Sequence, residues 1–360
     1  MLWLLCGVGR AYAEEQAILG ALELEDLEEV GEQSGVDVRK TLMRWISGEE
    51  TLDLNALYEL IGQAWRSALA DFCELAAALS IPMLASLIVR LALPESSSIQ
   101  RTMYLICRAG AVAVLASAYA QLNAVAAELI QDVLQCSDVL APVMISSVAL
   151  SGAETTAAAL TPMSAIAADL IQKLLAKWGT ALCAAMAGIA IAGNLSDQIR
   201  LRRLHELLRQ ILQWGAGVMM TAFMGALAIQ GRIGSSRDGA AARTARYAIE
   251  SVVPVIGGDV SNSLESLLST AQIIKNALGV TGLLLLLAIC LTPLVKIAGM
   301  SLMLKFTSAV SEPLGDKAMT AMTGQFAEAA EMLLVVSLAA VLLCAMLTGS
   351  CMWTAGNIVR

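Results

Sequence analysis

The chain has 360 residues, of which 58% are hydrophobic and only 15% charged, with a formal net charge of −8. That composition is far from a soluble globular domain, and an acidic balance leaves no basic footprint for nucleic acid. The acid is concentrated between Glu14 and Arg66, while acids and bases balance from Ser67 onward.

Residues 1–13 read as a signal-peptide-like segment. A short apolar run, Leu2 to Gly9, precedes Ala11-Tyr12-Ala13, the spacing of small residues that a signal peptidase cuts. A retained N-terminal anchor is the alternative. Residues 14–66 read as an acidic, extracytoplasmic helical segment. There Leu22, Leu24, Leu27 and Val30, then Leu54, Leu57, Leu60 and Ile61, recur at helical spacing among acids. Leu52-Asp53-Leu54-Asn55 offers a cap for the second helix. The segment is either a docking surface or a solvated face that anchors the first span.

Residues 67–360 read as a polytopic membrane domain. The stretches 109–127, 178–196, 211–231, 278–295 and 332–352 carry no Asp, Glu, Lys or Arg. Most reach the roughly 20 residues that cross a hydrocarbon layer of about 30 Å. Lipid offers the backbone no hydrogen bonds, so each stretch is expected to be a helix. A sixth candidate, 67–93, carries Asp71, Glu74 and Arg90 near its ends. The expected fold is therefore all-α, with about six to seven membrane helices and some broken or re-entrant segments. Residues 139–153 and 155–168 are too short to cross singly. Pro142, Pro162, Pro254 and Pro293 mark candidate breaks, because proline removes a backbone donor and clashes with the preceding turn.

Two stretches align internally. Val139 to Met144 resembles Ser251 to Ile256, and Asn194-Leu195-Ser196-Asp197 resembles Pro313-Leu314-Gly315-Asp316, at nearly equal offsets. The pattern predicts two repeats, 139–231 and 251–349. Transport folds often place their pathway at such a repeat interface, between broken helices. Arg200, Arg202, Arg203 and Arg209 favour a cytoplasmic loop at 196–210. The cluster Arg232, Arg237, Arg243 and Arg246 competes with it from the other end of the same span.

The only histidine, His205, opens His205-Glu206-Leu207-Leu208-Arg209, where a zinc-binding helix would need a second histidine at position 209. No metal site is expected. Residues 198–210 instead alternate polar side chains with Ile199, Leu201, Leu204 and Leu207. They read as a basic amphipathic helix lying at the lipid headgroups, or as a contact for a partner. Eight scattered cysteines form no C-x-x-C pair and are read as small hydrophobes. No phosphate-binding loop or catalytic motif occurs, so neither enzymatic activity nor a cofactor is expected. Ionisable groups at membrane depth are costly and mark pathways. Glu154, Lys173 and Lys296 are the candidates for that role, with Asp169, Lys177 and Lys305 beside them. The alternative is that the lysines snorkel and the acids sit at helix ends.

Several motifs resemble the stage III sporulation protein AE family. They are Gly193-Asn194-Leu195-Ser196-Asp197, Ile229-Gln230-Gly231, Arg243-Thr244-Ala245-Arg246-Tyr247-Ala248, Val253-Pro254-Val255-Ile256-Gly257-Gly258, Pro293-Leu294-Val295-Lys296-Ile297 and Glu312-Pro313-Leu314-Gly315-Asp316. Their order and spacing fit across about residues 54–349. The resemblance implies a multi-pass protein of the mother-cell-derived outer forespore membrane. It implies a place in a transenvelope channel, a feeding tube or secretion-like apparatus, with stage III sporulation proteins AA to AH and stage II sporulation protein Q. Self-association in the bilayer is compatible with it. A secondary transporter for a small solute and a non-conducting scaffold are the rival readings.

Under the channel reading the pore or hinge positions are Pro142, Pro254, Gly257, Gly258, Asp197 and Asp316, which would shape an opening between the repeats. Replacing Gly257-Gly258 by Leu-Leu is expected to abolish sporulation, and an unaltered spore yield would remove these glycines from the pathway.

Overall fold

A computed structural model describes residues 25–33, 37–46, 54–92, 98–151, 153–195, 201–252, 257–312 and 317–354. The signal-like segment 1–13 and the hinge candidates Asp197, Pro254 and Asp316 lie outside the described residues. Every element among the described residues is helical. In chain order these are α1 (Glu25–Gln33), α2 (Val38–Ile46), α3 (Leu54–Ala92), α4 (Ser98–Leu150) and α5 (Glu154–Asp169). A π-helical stretch (Leu170–Gly179) joins α5 to α6 (Thr180–Leu195), and α7 (Arg202–Val252), α8 (Gly257–Ser311) and α9 (Lys317–Thr354) follow. Among the described residues, six helical segments are long and apolar enough to cross a membrane: Ile61–Ala92, Ser98–Leu150, Lys173–Asn194, Arg202–Ile229, Ser269–Ser311 and Ala318–Met352. The chain is an all-α, multi-pass membrane protein.

The acidic leader is docked on this bundle. Asp37 caps α2, its Oδ1 accepting the Lys40 N–H at 2.9 Å, and Arg39 pairs with Glu28 of α1 at 3.3 Å. Leu27, Val38 and Leu42 are buried in the common core, with α1 against α4 and α2 against α8. The apolar side of this segment is therefore used within the chain.

The most enclosed element is α9, which packs against α4, α6, α7 and α8 through Phe326, Leu333, Val336, Ala340 and Leu343. It runs antiparallel to α8. At one end the Ser308 hydroxyl donates to the Thr320 carbonyl at 3.0 Å. At the other, the Lys275 Nζ donates to the Met352 carbonyl at 3.1 Å. Lys275 is only 1% exposed, and its charge lies at the C-terminal end of α9, where unsatisfied carbonyls attract a cation. From Lys275 to Lys296 on α8, and from Glu331 to Met352 on α9, the rise is roughly 31 Å at about 1.5 Å per residue. Neither interval holds a charge. Both match the hydrocarbon thickness of a bilayer.

Glycine permits the closest approaches. A Cβ on Gly282 would stand 2.6 Å from Leu140 Cδ1 of α4, and one on Gly279 would collide with Met352. Membrane helices gain packing from such small-residue contacts, having no hydrophobic drive toward one another.

Three of the four candidate prolines, all among the described residues, do not end helices. Pro142 lies inside α4, Pro162 inside α5 and Pro293 inside α8. Where water is excluded, neighbouring groups re-satisfy the backbone and the helix runs through. The interruption falls later, at residues 151–153, and again in the looser π-helical winding of Leu170–Gly179. The first proposed repeat accordingly opens within α4.

Gly282→Val should force apart α4 and α8, and Lys275→Met should strip a buried carbonyl of its donor, each costing about 1–3 kcal/mol. Thermal unfolding in detergent measures this. Gly225→Ala, where nothing stands within 4 Å of the added Cβ, should unfold like the parent.

Candidate functional site

The first turns of α7 hold His205 and Arg209 four residues apart, and hence on one face. On α9, Glu328 and Glu331 are three apart and face the same way. The two faces meet. His205 Nε2 lies 3.4 Å from Glu328 Oε2, Arg209 reaches Glu328 at 3.4 Å and Glu331 at 3.5 Å, and Lys305 of α8 pairs with Glu331 at 2.9 Å. The other ring nitrogen, Nδ1, lies 3.3 Å from the Met186 carbonyl of α6. Beside them the Asn194 side-chain amide donates to Gln325 Oε1 at 2.8 Å. Four helices are thus joined at one level by polar contacts.

Two carboxylates against Arg209 and Lys305 leave the cluster neutral when the imidazole is neutral. His205 is 1% exposed. With Nδ1–H donated to the Met186 carbonyl, a second proton on Nε2 would turn the Glu328 contact into a charged pair. The arrangement holds no nucleophile beside a base. No group of three metal-ligating side chains occurs among the described residues. Its chemistry is that of an electrostatic clamp at the edge of the apolar interval on α9.

A second clamp joins α3 to α8, with Lys296 Nζ 2.8 Å from Asp71 Oδ2 and each side chain 34% exposed. Lys173 pairs with Asp169 one turn away at 2.9 Å, in the open. Glu154 is exposed in the first turn of α5, where a helix N-terminus favours an acid. Pro142 is exposed on α4, and Gly257 and Gly258 open α8. Among the described residues, no hydrogen bond or ion pair joins any of Pro142, Glu154, Lys173 and Lys296 to another. Only Lys296 bridges two helices.

Residues 198–210 were expected as a basic amphipathic helix, at the headgroups or against a partner. From Arg202 onward they are instead the start of α7, continuous with its apolar span. The contacts with Met186 and Glu328 turn His205 inward. Sequence reading missed the clamp because it weighed each segment alone. The available signal was opposite charge at the ends of neighbouring uncharged stretches: Arg209 just before 211–231 and Glu331 just before 332–352. An apolar cleft of about 620 Å³ also opens between the α5/π-helical rod and α7, lined by Ile166, Leu174, Trp214 and Phe223 among others.

Glu331→Gln would leave Arg209 and Lys305 without their shared acid. It should destabilise the bundle in detergent by about 1–3 kcal/mol. Lys305→Gln removes a half-exposed partner and should cost under about 1 kcal/mol. Equal losses would mean that Glu331 is not the shared member.

No solved structure matches the chain. It is 25% identical over 190 residues to "Stage III sporulation protein AE" of Bacillus subtilis (strain 168), an alignment covering 53% of this chain and 48% of that protein. The chain thus matches about half the length of that relative. The family model described as stage III sporulation protein AE matches residues 36–356, from before α2 to past the end of α9. The chain therefore belongs to the stage III sporulation protein AE family, a membership that implies a role in sporulation.

Proposed function

We propose that this chain is a membrane subunit of a transenvelope sporulation channel, seated in the outer membrane around the forespore, where it forms or seats the passage between mother cell and forespore. Its partners on this reading are the stage III sporulation proteins AA to AH and stage II sporulation protein Q. The observation that carries the reading is a family match running across the whole multi-span bundle. It acts without catalysis. The intramembrane charges favour a conduit or its seat over a solute carrier. Lys296 and Lys305 are each held by a carboxylate of another helix, so they brace helices and are not left free to receive a solute.

Affinity purification of the tagged, crosslinked chain from sporulating cells, with mass spectrometry of its companions, tests the proposal. Recovery of the other stage III proteins is the expected result. Recovery of the chain alone, under conditions that preserve other membrane complexes, would overturn channel membership and favour the solute carrier.

A further inference from the structure

One helix breaks the pattern of the apolar interval. Between residues 121 and 142 the exposed positions of α4 are Gln121, Ala124, Glu128, Gln131, Gln135 and Asp138, with Pro142 closing the series. They are spaced three and four residues apart, which places them along one face of a helix. None is a large hydrophobe. The opposite face, with Leu129, Ile130, Val133 and Cys136, is buried in the core.

The depth of this stripe follows from its neighbours. The buried Cys136 thiol lies beside that of Cys344, midway along the uncharged interval of α9. Leu140 lies over Gly282 of α8. Gly279 of α8 lies against both Met144 of α4 and Met352 of α9, fixing the other end of the shared level. Glu128, Gln131, Gln135 and Asp138 therefore lie level with the apolar intervals of α8 and α9. Tyr119 packs on Phe326 with ring centroids 6.1 Å apart, so the uncharged stretch 109–127 lies mostly outside this level. At the same depth α8 exposes Leu287, and α9 exposes Leu338 and Leu342, the surface expected toward acyl chains.

Carboxylates and carboxamides facing acyl chains would go unsolvated, which membrane proteins avoid by turning such groups toward protein or water. A dry contact between two copies through this face would oppose like charges, because residues 109–150 contain acids but no Lys or Arg. Water, or polar side chains of another subunit, is what remains, and a face of amides and acids with no base suits water.

We propose that the stripe from Gln121 to Asp138 on α4 lines a water-filled passage across the membrane, one that favours cations over anions. The inference deepens the conduit reading and rests on it for what passes. Gln121, Gln131 and Gln135 supply neutral hydrogen-bonding groups, while Glu128 and Asp138 set the sign of the charge. The passage runs along the outside of this chain, so its far wall is supplied by another subunit or a second copy.

The test is thiol labelling in sporulating cells, on full-length chain in which the native cysteines are replaced by alanine. Single cysteines are placed at Glu128, Gln131, Gln135 and Asp138, with Leu287→Cys and Leu338→Cys as controls at the same depth. The expected result is that membrane-impermeant reagents modify the stripe faster than the controls. A cationic reagent should outpace an anionic one of equal size by about tenfold. Gln131→Cys and Gln135→Cys remove no charge and keep the test open if the acidic positions do not tolerate replacement. Where the alanine background fails to accumulate, the same substitutions are read against the parent chain. Labelling only by lipid-soluble reagents would overturn the passage, as would disulfide crosslinking between chains with protection from both reagent types. Equal rates for the two charges would overturn the cation preference. Labelling reads the chain itself, so a protected stripe leaves partner recovery untouched, and loss of partners leaves the labelling interpretable.

Discussion

The constraint on which the rest of this structure depends is that lipid supplies neither hydrogen bonds nor counter-charges. Each backbone polar group must be satisfied inside a helix, and each ionic side chain near the hydrocarbon must find its partner in the chain. The bundle meets the second demand by pairing across helices. Lys296 meets Asp71, Glu331 meets Arg209 and Lys305, and Lys275 meets the last carbonyls of α9. These contacts stand at the ends of the uncharged intervals on α8 and α9, where both water and protein are within reach.

The same constraint gives α9 its central place. Its uncharged interval is the most buried of the spans, and the acids just before it meet cations from α7 and α8. Close glycine contacts at Gly279 and Gly282 draw α4, α8 and α9 together. The acidic leader completes the packing through Leu27 and Leu42.

Against that frame of paired charge, α4 stands apart. Its core face obeys the rule, and its outer face presents amides and carboxylates at a depth where α8 and α9 present leucine. A surface of that kind is stable only against water or polar protein, so the chain is incomplete as a lone object in a bilayer. On the proposed channel reading the stripe has a physical use, because a channel subunit needs one side that lipid never touches.

The class of fold was legible in the sequence because spans are written in local composition. Residues 178–196, 211–231, 278–295 and 332–352 declare themselves by length and absence of charge alone. So does the need for the remaining polar groups to be satisfied somewhere. What composition does not hold is which segments lie level with one another. The stretch 109–127 was read as a span, yet Tyr119 meets Phe326, and it is the later, more polar part of α4 that lies beside the apolar cores of α8 and α9. Pro142 and Pro293 signalled breaks by local rules and were overridden by neighbouring helices. His205 and Arg209 were legible as part of a basic amphipathic helix, but their contacts with α6 and α9 were not. Sequence by itself determined that the chain is a bundle of apolar helices and where those helices lose their charge. Only tertiary structure decided which charges pair and which face of α4 is left polar, because those depend on register between helices far apart in the chain.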